Sequence, residues 1–595
     1  MGTYGIDLGT TYSCIAKLNE FGEPKILKNY IDGTDMLASA VFFQEDGNVL
    51  IGEMAKEYIE TSPERLVQFV KREIGRPNGK TYTIDDKEYN ATEISALILK
   101  KLKKIAEEQG ENVKDVIITC PAYFGFEERD ATKKAGELAG MNVISLINEP
   151  TAAALNYCCR EFQDDQNVVV YDLGGGTFDV TVLNMKVEYK DDKPIRKMKV
   201  LGTSGNDHLG GKDWDDILFN ILIEKFCNEI DVSKEELDID TIQSIRSKVE
   251  RTKIVLSSTE SVKVRLKSDA GVIEYNVTRQ EFEDATSYLV QQTIEFLQAA
   301  IKEAGNVKVD HVLLVGGSTN MPMIKNAVNS LYNGIVRVEE PETAVAKGAA
   351  IYASVVVQDF ALNGEEEQAD ADTDVEAGEN EEEKGNAAEG LAETSESDGT
   401  AKEEAVTETA DGAPKDDTAK PAEAKKPVTK TEKKPARRIS IIDTAPRSFG
   451  PGIYSENAFV VDNLVKKGSL LPAKVTKVYK TREKGQENVE LYIFENVSYD
   501  SHVVPCLNEN GEPQETKPEY MMKFLGKLVL PLKPDTPADS PIEVTFEVDI
   551  SGLNITAKDL STNEEKTITI KYASGMSEEE TAKSIEKINA HTLAD

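Results

Sequence analysis

Three consecutive glycines, Gly174, Gly175 and Gly176, stand between Asp172 and Asp179 in YDLGGGTFDVTVL, inside a run that otherwise reads as an apolar, β-branched hairpin. Glycine there packs against nothing and costs conformational entropy, so the bare backbone must serve the close approach of something else. The same plan occurs 165 residues earlier in YGIDLGTTYSCIAKL, with Asp7, Gly9, Thr10, Thr11 and Tyr12. Exposed backbone N–H groups with the hydroxyls of Thr10, Thr11 and Thr177 suit a phosphate chain. Asp7, Asp172 and Asp179 alone would repel it, so a hard divalent cation, Mg²⁺ keeping most of its waters, belongs between carboxylate and phosphate. One such turn is an ordinary Asp-Gly hairpin. Two copies predict hairpins gripping a nucleotide from both sides of a cleft. A third glycine turn, LLVGGST, follows an apolar strand and suits a nucleoside. GRPNGKT imitates a Walker loop but has three residues between its glycines where four are needed, and no GxGxxG occurs.

The elements that must hold these turns alternate strand-like runs (VKDVIITCPAYF, NVISLINEP, VDHVLLVGGS) with amphipathic helices such as that of Ile94, Leu97, Ile98, Leu102 and Ile105. Residues 1–358 thus read as α/β. Residues 361–436 hold no aromatic residue and no Ile, too little apolar surface to offset ordering entropy, so 359–438 is expected to be a disordered linker, acidic and then basic. From Ile439 to about Tyr572 strict alternation (Ile542, Val544, Phe546, Val548, Ile550) predicts a β-sandwich. Residues 573–595 make one short helix, N-capped by Ser577.

The formal charge of −37 speaks against nucleic acid or an anionic membrane as partner. Half of it is local, since 22 acidic and 4 basic residues lie between Asp359 and Lys420. No run approaches a membrane span, no secretion signal opens the chain, and the six cysteines form no CxxC pair. A cytoplasmic protein with reduced thiols is expected.

The ordered set GIDLGTTYS, FVKREIGRP, PAYFGFEERDATKKAGELAGMNV, INEPTAAAL, YDLGGGTFDVTVL, HLGGKDWDD, ERTKIVLSS, LLVGGST and AVAKGAA resembles the seventy-kilodalton heat-shock (DnaK-type) chaperone family. Its ATPase domain shares a two-lobed fold with actin. ISIIDTAPRSFG, FLGKLVLPL and IEVTFEVDISGLNITAKDLSTNEEKTITI resemble that family's peptide-binding β-domain. The resemblance implies an actin-like α/β ATPase, a C-terminal sandwich and a remnant of a helical lid. It implies ATP/ADP, Mg²⁺ and K⁺ as cofactors, and extended unfolded polypeptide as partner, with a J-domain co-chaperone and a nucleotide-exchange factor.

By the same resemblance Lys71 holds the attacking water and γ-phosphate, and Glu149 orders metal-bound water. Asp7, Asp172 and Asp179 surround the ions, with Thr177 near the γ-phosphate. Gly210, Gly211, Glu250, Lys253, Ser257, Gly316, Gly317, Ser318 and Glu342 complete the nucleotide site, and Pro121 with Arg129 form an allosteric relay. Five departures stand out: Asn320 where the family has an adenine-stacking arginine, Glu342 where it has an aspartate, Ser145 where it has an interdomain arginine, a long polar linker in place of a short apolar one, and a truncated lid. A flexible linker of this length spans roughly 50 Å, which predicts weakened coupling between its ends. The chemistry is that of an ATP-driven polypeptide chaperone. The alternatives are a nucleotide-gated scaffold without refolding activity, and a small-molecule kinase, which would leave the β-domain without work.

Overall fold

The computed structural model describes residues 2–356, 438–505, 522–571 and 578–594, apart from short breaks at 30–32, 77–78, 162–164, 191–192, 269–270, 339, 456–457, 499 and 550–551. By contacts, Met1–Asp359 and Ala436–Asp595 form one unit and Phe360–Pro435 another. The expected disordered linker, the Ser577 N-cap and Ile550 lie outside the described residues.

Two sheets repeat one topology. In the first, Asn142–Asn148, Asp115–Cys120 and Thr3–Asp7 run parallel, and Tyr12–Leu18 and Pro24–Ile26 follow antiparallel. The second places Val336–Val338, His311–Val315 and Gln166–Leu173 parallel, then Phe178–Lys190 and Lys193–Asn206 antiparallel. Each glycine turn therefore joins the third strand of its sheet to the fourth. Buried β-branched residues such as Val168, Val169 and Val170, all 0% exposed, fill both faces, as parallel strands require. Small residues let the two halves cross closely: a Cβ on Gly5 would lie 2.1 Å from the backbone nitrogen of Ala350, and one on Gly348 1.7 Å from the Ala152 carbonyl oxygen. The expected amphipathic helix spans Ala91–Glu107, opened by a capping box between Asn90 and Glu93.

Residues 439–442, expected to begin the sandwich, instead pair, together with Arg438, in parallel with Lys193–Asn206 as the sixth strand of the second sheet. Ile439 and Ile441 find there an apolar edge that a solvated linker would lack. Ile439 shares a buried cluster with Val355. Both flanks of the long acidic segment thus sit in one core, and the segment's length does not set the separation of the parts it joins.

The remaining strands form a sandwich. A five-stranded sheet (His502–Val503, Ala458–Asp462, Ser448–Ser455, Asn488–Asn496, Lys523–Pro531) faces a four-stranded one (Ala473–Lys480, Pro541–Val548, Gly552–Asp559, Glu565–Lys571). Leu491, Ile493, Leu528 and Leu530 meet Ile542, Val544, Phe546 and Ile555 in its core, and Phe126 of the α/β part joins the same cluster. The last helix, Glu578–Asn589, follows this sandwich in sequence.

Candidate functional site

The two glycine turns touch. A Cβ on Gly175 would fall 1.8 Å from the Thr11 hydroxyl, and Cβ atoms on Gly176 and Gly210 would strike Thr10 and the Gly176 backbone, at 2.4 and 2.6 Å. Only glycine allows this apposition. Beside it opens a cavity of about 450 Å³, lined by Asp7, Gly9, Thr10, Thr11, Tyr12, Lys71, Glu149, Asp172, Gly174, Gly175 and Thr177 at one end. Glu250, Lys253, Ser257, Gly316, Gly317, Ser318, Asn320 and Glu342 line the other, with Ile254, Met321 and Val345. The structure so gathers around one space residues that are more than three hundred positions apart in sequence. Gly176, Gly210, Gly211 and Asp179 do not line it: they form the layer behind. There Gly211 N–H donates to the Gly174 carbonyl at 2.9 Å, and Ser318 Oγ to the same oxygen at 2.8 Å.

The first of these ends is dominated by carboxylates. Asp172 and Asp179 are directly opposed in the antiparallel ladder, an arrangement that like charges ordinarily disfavour. Burial, then the neighbouring Glu149, pushes Asp7 up to about 7 and Asp179 up to about 8, and holds Asp172 well above the usual carboxylate range. Asp179 Oδ1 is buried without a hydrogen-bond partner. Lys71 is the cation here, 3% exposed and in direct contact with Glu149. Burial opposes its charge, but Glu149 and Asp7 keep it above the usual lysine range. So many carboxylates crowded around one lysine resist ionisation, and a cation among them would relieve that resistance. Among the described residues no three carboxylates, histidines or cysteines converge as a direct metal cluster.

At the other end Glu250, Lys253 and Ser257 lie on the helix Ile239–Ser258, as their spacing predicts. Lys253 pairs with Asp215 at 2.8 Å, and Glu250 reaches across to Lys56, also at 2.8 Å. Gly316 has φ 83°, where any Cβ would meet the Leu173 carbonyl at 2.3 Å, so only a glycine can carry this turn. Asn320 Nδ2 faces Glu342 at 3.5 Å. Ile254, 57% exposed, presents an apolar side chain to the cavity; sequence spacing put it on the right helix but gave no sign of its role.

Around Tyr12, Pro121 and Arg129, which the sequence reading named, two groups of contacts escaped it. Arg72 donates to the Gly176 carbonyl at 3.0 Å and to Asp213 at 2.6 Å, fixing the second turn from the opposite half, and Lys56 with Tyr12 (3.0 Å) does likewise above Glu250. The other group joins the α/β part to the sandwich. Arg129 donates to the Phe124 carbonyl (2.9 Å), to Cys120 Sγ (3.2 Å) and to Asn148 Oδ1 (2.5 Å), and Asn148 Nδ2 donates to Asp443 at 2.7 Å. Asn148 immediately precedes Glu149, so a hydrogen-bonded path runs from the segment entering the sandwich to the cavity. Pro121 follows Cys120 at the end of its strand, and among the described residues the Ser145 hydroxyl bonds the Leu146 carbonyl. Around the path lie Arg447 to the Tyr123 carbonyl (3.1 Å), Lys523 to Glu127 and Glu128 (2.9 and 3.1 Å), and Lys467 over the Tyr123 ring (4.6 Å). Such pairs join residues over 300 positions apart and leave no local pattern.

Comparison with known proteins agrees with this geometry. The Hsp70 protein family model matches residues 3–364 and 424–595. The chaperone protein DnaK of Thermosipho melanesiensis is 33% identical over 604 residues, covering 99% of this chain and 84% of that protein. With a two-lobed actin-like ATPase, a C-terminal β region and matches along nearly its whole length, the chain belongs to the Hsp70 family of ATP-dependent molecular chaperones.

Proposed function

We propose that the 450 Å³ cavity binds Mg·ATP and that its hydrolysis governs how the sandwich holds extended, unfolded polypeptide. The observation that carries this reading is the buried Lys71–Glu149 pair set among Asp7, Asp172 and Asp179, directly beneath two touching Gly/Thr turns. The turns offer backbone N–H groups and the Thr10, Thr11 and Thr177 hydroxyls to a triphosphate. Lys71 lies where it can steady the terminal phosphate and the attacking water, and Glu149, held by Lys71, where it can accept a hydrogen bond from that water. Bound Mg²⁺ would neutralise developing charge on the phosphate oxygens. K⁺ belongs to this reading as a second counter-ion beside Asp7 and Asp179.

The Arg129–Asn148–Asp443 path gives the site a mechanical partner: Asn148 and Glu149 are adjacent, so a shift at Asp443 is felt one residue from the cavity. A J-domain co-chaperone and a nucleotide-exchange factor complete the proposed cycle, in the cytoplasm. Calorimetry tests the binding claim, with heat of ATP uptake in Mg²⁺ expected. Steady-state ATPase with and without an unfolded polypeptide tests the coupling, and stimulation is expected. No heat with or without Mg²⁺ would end the proposal.

A further inference from the structure

The far end of the cavity has few side-chain donors left for a nucleobase. Lys253 donates to the Asp215 carboxylate at 2.8 Å and to the Gly211 carbonyl at 3.1 Å. Ser257 and Ser258 each direct their one hydroxyl proton at a carbonyl of their own helix, those of Lys253 (3.2 Å) and Val255 (3.0 Å). Ser318 directs its own at the Gly174 carbonyl (2.8 Å). A hydroxyl so engaged can still accept a hydrogen bond but has no proton left to donate.

Acceptors remain. Glu250 is held by Lys56, whereas among the described residues the exposed Glu342 carboxylate takes one hydrogen bond, from Asn320 Nδ2, at the outer limit of 3.5 Å. Its second oxygen is open. The backbone fixes where this carboxylate stands: Gly316 N–H donates to the Pro341 carbonyl at 2.7 Å and ties Pro341 and Glu342 to the glycine turn. A Cβ on Gly317 would still lie 4.0 Å from Glu342 Oε1, so the space between turn and carboxylate is clear. Ile254, Met321 and Val345 give this end apolar walls, which suit the faces of any purine alike. Discrimination between bases then falls to the edge.

Purines differ there. Guanine presents two neighbouring donors, N1–H and the 2-amino group, which match the two oxygens of one carboxylate. Adenine presents one amino group beside the bare lone pair of N1, which a carboxylate repels. An end rich in acceptors and poor in donors therefore serves the guanine edge better than the adenine edge.

We propose that Glu342 is the base-reading residue of the cavity, oriented by Asn320, and that this chain binds guanine nucleotides with an affinity comparable to that for adenine nucleotides. This base preference presupposes that the cavity binds Mg·nucleotide, and it states which bases that site takes.

Calorimetric titration of the full chain with Mg·ADP and with Mg·GDP is the test. The two dissociation constants are expected to agree within about tenfold, or to favour GDP; GDP weaker than ADP by more than about tenfold would overturn the assignment. Glu342→Gln replaces one acceptor oxygen with a donor and should weaken GDP by about tenfold, the discrimination expected of one bidentate pair, and ADP by less than about threefold. Equal weakening of both would mean that Glu342 supports the pocket without reading the base, and would also overturn it. Asn320→Arg sets a cation against the same carboxylate and should shift the balance toward ADP, as Glu342→Gln does. A balance unchanged or moved toward GDP by Asn320→Arg would contradict the proposed role. Binding of neither nucleotide would end the reading of the cavity as a nucleotide site, whereas binding of ADP with GDP excluded would sink the base assignment alone, so the two failures are distinguishable.

Discussion

Lys71 and Glu149 form a buried ion pair, a contact that is costly unless it is used. If the pair positions water at the terminal phosphate, Lys71→Ala should lower ATP turnover by about 10²-fold or more, with Mg·ATP affinity changed far less, as single-turnover rates and calorimetry would separate. At the other end of the cavity Ile254, Met321 and Asn320, and among the described residues no arginine, line the space where the base would lie. Asn320→Arg should supply a guanidinium over the base and tighten ATP by about 1 kcal/mol, or roughly fivefold in Kd. An unchanged affinity would place the base elsewhere.

Between elements, the junction of the α/β part with the sandwich has its own titration. Burial lowers Lys467, which lies over the Tyr123 ring, from the usual 10.5 of a lysine to about 8, while Glu303 works the other way. The docked lysine therefore binds fewer protons than the released one between about pH 8 and 10.5. Docking should strengthen as pH rises through that window and carry its full cost below it. Fluorescence transfer between probes on the two parts, read at pH 7 and 9.5, should show this slope, and Lys467→Met should remove it. Asp443 belongs to the same junction: Asp443→Ala leaves Asn148 without its acceptor and should reduce polypeptide stimulation of ATPase while sparing the unstimulated rate.

For the whole molecule the decisive fact is that Val355 and Ile439 share a core, so that the two flanks of the acidic segment are pinned beside each other. A span of roughly 50 Å, expected for a free linker, no longer measures the distance between the parts. Removing residues 361–436 should leave polypeptide-stimulated ATPase within a few-fold of the full chain. Loss of stimulation would mean that the acidic segment itself takes part.

Sequence alone determined the family and the local elements that carry the candidate site. Asp-Leu-Gly turns, the 3.6-residue stripe on Ala91–Glu107, the Glu250–Lys253–Ser257 face and the alternation of Pro541–Val548 are local patterns, because backbone geometry and burial of one face act over a few residues. Tertiary structure decided what those elements meet. That Gly175 abuts Thr11, that Arg72 crosses to Gly176, and that ISIID joins a sheet and not the sandwich are all contacts between distant segments. A contact of that kind depends on which apolar edges and buried carboxylates remain unsatisfied once everything else has packed, and no window along the chain records that balance.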